Sequence, residues 1–282
     1  MTQSTSNPVA NILERRAATL NPDRSRLSAR VADLIARTIL EEDLQPGDRL
    51  PPERQMLEQF GIGRASLREA LRLLEADGLV RMRMGPSGGP EVAYPQIDQI
   101  TRILLLFLIT SGATLRDIYI VRSTLDPAVA FLAATGATQD DVDLLEEAKL
   151  RMRAAVNKEP NFLQENGLFH RLIAEMCGNP LLTAMSLSML SILDGHDAGI
   201  RYSLAARRSV AALHEAIADA IIARDGEAAS EAAAHHVETA IAYFEKRYPK
   251  SLDEPLNPST FRGYSTEQLS FSARQPATSP VR

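Results

Sequence analysis

The spacing of hydrophobic residues predicts helices along most of this chain. In the first part of the sequence, apolar residues recur three or four positions apart and predict a helix over about residues 27–42: Leu27, Val31, Leu34, Ile35 and Ile39. The turn-forming run at 45–48 ends this helix. Pro51-Pro52-Glu53 predicts the start of a second helix, because proline is tolerated in the first turn and a carboxylate there faces the positive end of the helix dipole.

A third helix is predicted over residues 64–76, directly after Gly61-Ile62-Gly63. Two short helices joined by a glycine-containing turn are typical of a helix-turn-helix, in which the second helix enters the major groove of DNA. The segment 79–84 then alternates apolar and charged residues, turns through glycines and prolines at 85–90 and returns at Val92, which predicts a β-hairpin wing. The turn lacks the Gly-Lys-Ser/Thr ending of a phosphate-binding loop, so a turn is the favoured interpretation.

From Ile97 onward the pattern is helical throughout, with turn residues between the helices. The predicted helices lie near residues 97–111, 114–135, 138–157, 161–177, 180–196, 203–224 and 226–247. The predicted fold is therefore mostly α: an N-terminal winged helix-turn-helix with a small β-hairpin wing, followed by an all-α antiparallel helical bundle. We assign residues 25–95 to the first domain and 96–248 to the second, with mobile tails at 1–24 and 249–282.

Composition places the chain among globular proteins and gives the two domains different charges. Of its 282 residues, 45% are hydrophobic and 24% charged, and the apolar runs are too short for a bilayer span, so we expect a cytoplasmic protein with no membrane partner. The single cysteine, Cys177, excludes an internal disulfide and a thiolate cluster. The net charge of −5 is concentrated in residues 96–248, which carry 14 basic and 20 acidic residues. Residues 1–95 carry 13 arginines and 13 acidic residues, and arginine is the side chain best suited to bidentate contacts with phosphate and guanine.

Three histidines of the second domain fall on the apolar faces of separate predicted helices. His170, His214 and His236 each lie on such a stripe, whereas His235 is about 100° around its helix from His236 and is expected to face solvent. Asn166 precedes His170 by four residues and so lies beside it on the same face. Four such groups are a plausible ligand set for one divalent metal ion, and imidazole and amide donors favour zinc or nickel over calcium. The alternative is that each histidine is buried and hydrogen-bonded to backbone.

Arg122 also lies on a core-facing stripe, with Leu115, Ile118, Leu125 and Val129. A guanidinium in that position needs an anion. Asp126, one helical turn later, is one candidate partner, and the carboxylate of a small ligand beside the metal is the other.

The motifs of the first domain resemble those of GntR-family transcriptional regulators. The resemblance rests on Leu50-Pro51-Pro52-Glu53-Arg54, on the run from Gly61 to Glu75, and on Gly78-Leu79-Val80. In the second domain, the resemblance is to the effector-binding, FCD-type helical domain of the FadR subfamily: Val121-Arg122, Leu125-Asp126, Asn166, Phe169-His170, Gly178-Asn179-Pro180, His214 and His236.

The resemblance implies roles for individual residues. Arg54, Arg64, Ser66 and Arg68 would contact the operator, and Gly85 would lie at the wing tip in the minor groove. A divalent metal ion would be bound by Asn166, His170, His214 and His236, and Arg122 would anchor the effector. The chain departs from the family pattern at Gly63 and Ala65, where hydroxyl side chains are common, at Asn166, where many relatives have Asp, and in the Gly-Gly-Pro sequence of its wing.

The sequence therefore predicts a ligand-responsive, sequence-specific transcriptional regulator that senses a small organic acid. A repressor is favoured over an activator. One short recognition helix reads only a few base pairs, so we expect a homodimer on a palindromic double-stranded operator. Two alternatives remain at this point. In the first the metal ion itself is the signal. In the second the histidines activate water in a hydrolase with a DNA-binding domain, although the chain has no HExxH pattern and no Ser-His-Asp elbow.

Overall fold

The computed structural model describes residues 8–17, 27–85, 88–196 and 201–257. The chain separates into two compact units between residues 99 and 100, close to the predicted domain boundary. The first unit contains α1 (Pro8–Ala17), α2 (Leu27–Glu41), α3 (Glu53–Phe60), α4 (Arg64–Ala76), β1 (Val80–Arg83) and β2 (Gly89–Val92). This order confirms the predicted winged helix-turn-helix, since α3 and α4 are its two short helices and the strands form the wing.

The first unit folds around the apolar faces of α2 and α4. Their buried residues include Ile35 and Ile39 of α2 and Leu67 and Leu74 of α4, each at most 1% exposed. Between α3 and α4 the chain turns at Gly61, whose φ of 62° is a left-handed conformation that glycine adopts without strain. Because Leu67 and Leu74 bury one side of α4, the opposite side of this helix faces solvent.

The wing is a two-stranded antiparallel sheet in which Val80 pairs with Val92 and Arg83 with Gly89. Val80 and Val92 are 2% and 1% exposed and belong to the same core as α2 and α4. Because side chains alternate along a strand, this register places Arg81 and Arg83 of β1 together on the outer face.

Helix α1 corrects the expectation that residues 1–24 form a mobile tail. Within that segment, Pro8–Ala17 is helical, and Val9, Ala10 and Leu13 are 8%, 1% and 0% exposed. The side chain of Gln59 in α3 donates a hydrogen bond of 2.9 Å to the carbonyl of Ala10. The physical reason is the apolar pair Val9 and Leu13, one helical turn apart, which joins the core of the first unit.

The second unit contains α5 (Ile97–Thr110), α6 (Leu115–Gly136), α7 (Gln139–Ala155), α8 (Glu159–Met176), α9 (Pro180–His196), α10 (Leu204–Ile222), α11 (Gly226–Arg247) and α12 (Pro249–Asp253). Helix α5 begins just before the boundary between the two units. Helix α6 packs against α8, α9, α10 and α11, so it lies in the middle of the bundle. By length and composition α6 is apolar enough to cross a bilayer, a property that the central helix of a helical bundle shares. The helical second domain is confirmed.

Two capping boxes fix the starts of α6 and α7. The Thr114 hydroxyl accepts from the backbone N–H of Asp117, and the carboxylate of Asp117 accepts from the backbone N–H of Thr114 at 2.8 Å. Thr138 and Asp141 make the same reciprocal pair before α7. These side chains satisfy backbone donors that the first helical turn leaves unpaired, which sets where each helix begins.

The prediction of a mobile tail over residues 249–282 is wrong for the first residues of that segment, which form α12 and pack against the bundle. Leu252 of α12 and Leu256 beyond it are buried, at 0% and 3% exposed. The backbone N–H of Leu256 donates to the carbonyl of Ala113 at 2.8 Å, and Asp253 pairs with Arg116 of α6 at 2.6 Å. Two buried leucines tie this segment to the bundle, so the second unit continues to residue 257. The rest of the predicted tail, 258–282, and the beginning of the N-terminal tail lie outside the described residues.

Candidate metal centre and nucleic-acid interface

Three helices bring three histidine side chains together inside the second unit. The rings of His170 (α8), His214 (α10) and His236 (α11) have centroids 4.8 to 5.1 Å apart. One nitrogen from each ring lies within 4.8 Å of the others, and His214 and His236 are buried. His235 is exposed, as its position around the helix predicts. The spacing of these nitrogens allows one ion to lie between the three rings.

The buried histidine nitrogens have no hydrogen-bond partners among the described residues. Both ring nitrogens of His214 and Nδ1 of His236 are unpaired in this sense. The alternative considered above, in which backbone groups satisfy each ring, requires hydrogen bonds that these two side chains do not make. An unpaired buried polar atom costs about 1–3 kcal/mol, and an ion that took one nitrogen from each of these two rings would relieve part of that cost.

The surroundings of the three rings keep the imidazoles neutral. Burial lowers the pKa of His236 to about 3, with a further contribution from the positive charge of Arg122. Burial likewise lowers the pKa of His170 and of His214 well below 6.5, helped by the neighbouring histidines and by Arg122. Neutral imidazole is the form that binds metal, so the site presents its ligands ready for coordination at neutral pH.

A cavity of about 90 Å³ opens beside the histidines. Its lining includes His170, His236, Asn166 and Arg122, so the predicted fourth ligand and the predicted effector anchor border the same space. A single water needs about 10–15 Å³ on this measure, so the cavity has room for a small organic molecule. A second cavity of about 40 Å³ shares Arg122, His170 and His236 and also reaches Asp126.

Arg122 makes the ion pair that the sequence offered as one alternative. Its Nε and one terminal nitrogen donate to the same oxygen of Asp126 at 3.0 and 2.7 Å, and Arg122 is 7% exposed. Its guanidinium carbon also lies 5.6 Å from the centroid of the Tyr119 ring. Arg122 lines both cavities as well, so its pair with Asp126 leaves the guanidinium on the cavity walls.

The rim of the larger cavity contains tyrosines that sequence reasoning missed. Tyr202 and Tyr243 stack with centroids 5.5 Å apart, and both line the cavity. The backbone N–H of Tyr202 donates to Glu159 at 2.8 Å, and the Tyr243 hydroxyl donates to the carbonyl of Arg201 at 3.2 Å. These residues come from distant parts of the chain, so no local pattern signals that they meet.

In the first unit, the predicted reading residues lie on an exposed surface. Arg64 and Arg68 of α4 are exposed and Ser66 is half-buried, while Arg54 of α3 is 92% exposed along its side chain. Arg68 has Glu53 at 3.8 Å and Arg54 has Glu58 at 3.3 Å, whereas Arg64 has no ion-pair partner among the described residues. Such exposed pairs are worth little, so the guanidinium groups remain available to DNA phosphates and bases.

The arginines of the wing are more firmly paired. Glu91 of β2, 4% exposed, accepts from Arg81 at 2.9 Å and from Arg83 at 3.1 Å, and these hydrogen bonds lower the pKa of its carboxyl. At the wing tip Gly85 has φ of 111°, which excludes most side chains, and residues 86 and 87 lie outside the described residues. The hairpin register therefore holds both arginines beside the buried carboxylate of Glu91.

Comparison with known proteins agrees with both halves of this architecture. Residues 27–87 match the family of bacterial regulatory proteins called gntR, and residues 117–239 match the FCD domain. The chain is 32% identical over 219 residues to the uncharacterized HTH-type transcriptional regulator YieP of Escherichia coli K12, covering 74% of this chain and 91% of that protein. It is 29% identical over 225 residues to the HTH-type transcriptional repressor NanR of Citrobacter rodentium, covering 78% of this chain and 85% of that protein.

A solved structure supports the same assignment. Streptococcus agalactiae GntR is 25% identical and superimposes with a TM-score of 0.58, over 77% of this chain and 99% of that one. The relatives are transcriptional regulators and not enzymes, which confirms the regulator prediction over the hydrolase alternative. An exposed helix-turn-helix precedes a helical domain with an internal cavity, and these matches show that the chain belongs to the GntR family of transcriptional regulators, with an FCD effector-binding domain.

Proposed function

We propose that this regulator is a cytoplasmic, homodimeric repressor of the FadR subfamily, which binds a palindromic operator and senses a small carboxylate at a metal centre. The observation that carries the proposal is the cluster of His170, His214 and His236, in which the buried nitrogens of His214 and Nδ1 of His236 are unpaired. Two of its members, His170 and His236, line a cavity that Arg122 also lines. The name repressor belongs to the NanR relatives, and it is extended here to this chain.

Operator binding is assigned to the exposed face of α4 together with Arg54 and the wing tip at Gly85. Arg64, Ser66 and Arg68 lie on the first turns of α4, where the recognition helix of such a fold meets base edges. Gly63 precedes the helix with no side-chain cap, so the first backbone N–H groups of α4 are open to a phosphate. These features supply the anion contacts that fix a protein on DNA.

Replacing Arg68 with alanine tests the reading helix. We expect operator affinity to fall by about tenfold or more, since a lost arginine contact costs about 1–3 kcal/mol. The measurement is a mobility shift on an operator selected from random duplexes, with Arg37→Ala, another exposed arginine of the first unit, as the matched control. Equal affinity of Arg68→Ala and the wild type would exclude α4 as the reading helix.

A dimer supplies a second recognition helix, which contacts the second half-site of the operator. One recognition helix contacts only a few base pairs. A sequence that short recurs many times in a genome, so it cannot by itself specify one operator. The proposal therefore requires that sedimentation shows two chains per particle and that a footprint shows two inverted half-sites. A monomer that protects a single half-site would contradict it.

For the metal, His170, His214 and His236 are the proposed ligands, with Asn166 as a fourth, and zinc or nickel is the expected ion. When bound, the ion supplies positive charge to a carboxylate in the cavity. Arg122 is the proposed second anchor of that carboxylate, because a guanidinium binds carboxylates through paired N–H donors. The neutral imidazoles of this chain allow the ion to bind without first displacing protons at neutral pH.

Elemental analysis of the purified protein together with a thermal-shift screen of small carboxylates tests this part. We expect close to one divalent ion per chain and a melting temperature that rises with the logarithm of ligand concentration above its Kd. Metal-free protein with every candidate carboxylate inactive in the screen would refute the metal and effector assignments. The DNA assignment would stand or fall separately by the Arg68 experiment.

The unpaired histidine nitrogens also favour a second candidate, a regulator for which the ion itself is the signal. The two candidates differ in a direct test. A chelator alone changes operator affinity if the metal is the signal, whereas a carboxylate is also needed if the acid is the signal.

A further inference from the structure

The wing of the first unit contains a carboxylate that arginine side chains cover. Glu91 of β2 is 4% exposed. The register of the hairpin places Arg81 directly opposite Glu91 and Arg83 two positions further along β1, so the three side chains share one face of the sheet. The exposed Arg49 is bridged to Glu91 along the other edge of β2 and adds a third arginine to this face. An acidic residue is thus buried in the middle of a basic surface.

Each oxygen of Glu91 accepts from a different arginine. Oε1 accepts from Nη2 of Arg81 at 2.9 Å, and Oε2 accepts from Nη1 of Arg83 at 3.1 Å. A guanidinium has five N–H donors, and neither guanidinium makes another hydrogen bond among the described residues. The two arginine side chains are 70% and 57% exposed. Glu91 therefore orients both groups and leaves most of their donors for an anion from outside.

This arrangement differs from two other ion pairs of the first unit. Glu58, which pairs with Arg54, and Glu69, which pairs with Arg72, are 69% and 54% exposed along their side chains. A carboxylate in contact with water forms a weak pair that does little to fix its partner. Glu91 is held by strand pairing and by burial, and one carboxylate between two arginines leaves a net positive charge. The wing thus presents two guanidinium groups at fixed positions.

The place of the wing in the fold points to the phosphates of DNA. Strand β1 begins at Val80, four residues after the end of α4 at Ala76. The phosphates of two strands border the major groove, so a hairpin attached to the end of a helix in that groove lies close to the DNA backbone. An arginine that is free in solution loses side-chain freedom when it binds phosphate, and an arginine that the protein already holds loses less.

We propose that Arg81 and Arg83 form a phosphate clamp on the backbone of the operator, and that Glu91 is the residue that positions it. The inference goes beyond the proposed function, which assigns the wing tip at Gly85, and it rests on the assignment of α4 as the reading helix. Phosphate contacts fix the protein on the duplex and carry no direct sequence information, so the clamp adds affinity for any sequence. A negatively charged residue thereby strengthens binding to a negatively charged ligand.

Glu91→Gln tests the sign of this effect. It keeps the size of the side chain, adds one positive charge to the wing, and replaces one acceptor oxygen by an amide group that only donates. Charge alone would raise the affinity for DNA. We expect operator affinity to fall at least about fivefold, since immobilising each freed arginine again costs about twofold to tenfold in affinity. Asp77→Asn, the matched control, removes a carboxylate at an exposed position after α4 and should leave the affinity equal or slightly raised.

A double variant, Arg81→Lys with Arg83→Lys, tests the clamp itself. It keeps both positive charges and Glu91, but an ammonium lacks the planar fork of a guanidinium. We expect weaker binding with an unchanged slope of log affinity against log salt concentration, whereas Arg81→Ala should reduce that slope by about one. The measurement is a mobility shift over a salt series, on the selected operator and on an unrelated duplex, with thermal melting to show that each variant folds. Each wing variant should lose the same factor on both duplexes.

Every outcome bears on one part of the inference. Equal or stronger operator binding by Glu91→Gln overturns the positioning role. If that variant does not fold, Glu91→Asp replaces it: it keeps the charge but withdraws the carboxylate, and unchanged binding overturns the same role. A lysine variant that binds as the wild type overturns the clamp, and a loss confined to the operator overturns the phosphate assignment. Unchanged binding by Arg68→Ala refutes the proposed reading helix, whereas a loss there with none in the wing variants refutes this inference alone.

Discussion

Replacing Arg122 with methionine should destabilise the second unit, because it leaves Asp126 without its partner. Arg122 is 7% exposed and the Asp126 side chain 17% exposed, so the pair lies within the protein. Removing one member of such a pair costs about 3–5 kcal/mol, and the partial exposure of Asp126 points to the lower end of that range, about 3 kcal/mol. The same truncation at Arg116, whose ion pairs lie at the surface of α6, should have a much smaller effect.

A double-mutant cycle separates the structural role of Arg122 from its proposed role toward the effector. Asp126→Asn alone should also destabilise, since it leaves a buried guanidinium without a carboxylate. In the variant with Arg122→Met and Asp126→Asn together, no unpaired charge remains, and we expect stability within about 1 kcal/mol of the wild type. The coupling energy from the cycle should then exceed about 2 kcal/mol, as for groups in direct contact.

The assays are chemical denaturation of the metal-free protein and thermal shift with the carboxylate found in the screen. The double variant should recover stability but not carboxylate binding, because the guanidinium that we propose as the anchor of the ligand is gone. A double variant that binds the carboxylate as tightly as the wild type would show that Arg122 serves the fold alone. A cost below about 1 kcal/mol for Arg122→Met would refute the burial argument itself.

Two further predictions concern the N-terminal helix and the histidine cluster. Leu13→Ala should lower the free energy of unfolding of the first unit by about 2–5 kcal/mol, because Leu13 is fully buried. The control Asn11→Ala, on the exposed side of α1, should have little effect. Equal effects of the two variants in chemical denaturation would mean that α1 does not pack as described. Acidification should destabilise the metal-free protein, because the histidines of the unfolded chain take up protons near pH 6.5 while those buried in the folded chain do not. The stability that the neutral histidines contribute is complete above that pH and is lost as the pH falls toward the pKa of the folded state, about 3 for His236. His236 alone should account for about 2 kcal/mol between about pH 7.5 and about pH 5. His236→Gln should reduce this pH dependence, and a free energy of unfolding that stays flat over this range would contradict the burial of the cluster.

The paired wing arginines bear on where operator affinity comes from. Arg81 and Arg83 share the carboxylate of Glu91, so their charges are partly compensated within the hairpin. Arg64, with no ion-pair partner among the described residues, and Arg68, with a distant one, are freer to meet phosphate. Equal numbers of basic and acidic residues in the first 95 positions therefore do not mean that every arginine is held equally firmly by a carboxylate.

The sequence by itself determined the elements and the faces that they bury. Helical spacing located α2 and α4, period-two alternation located the wing, and the stripes of the second domain turned His170, His214 and His236 inward and His235 outward. These features follow from a sequence pattern because the repeat of a helix or strand is local, and the apolar face of each element must be buried wherever it packs. The short α1 was missed because its apolar pair lies in a polar segment and gains its stability only from the core that it joins.

Only the tertiary structure decided what the inward-facing groups meet. The three histidines come from helices far apart in sequence, and their nitrogens approach within 4.8 Å because α8, α10 and α11 pack around one point. The packing of the bundle also left the larger cavity without a carboxylate among the described residues, and in the first unit the hairpin register gave Glu91 to two arginines of the wing. The Arg122–Asp126 pair, by contrast, is local to α6 and has the spacing that the sequence offered. Partners, distances and cavities depend on how separate elements approach in space, and the periodicity of each element carries no information on that approach.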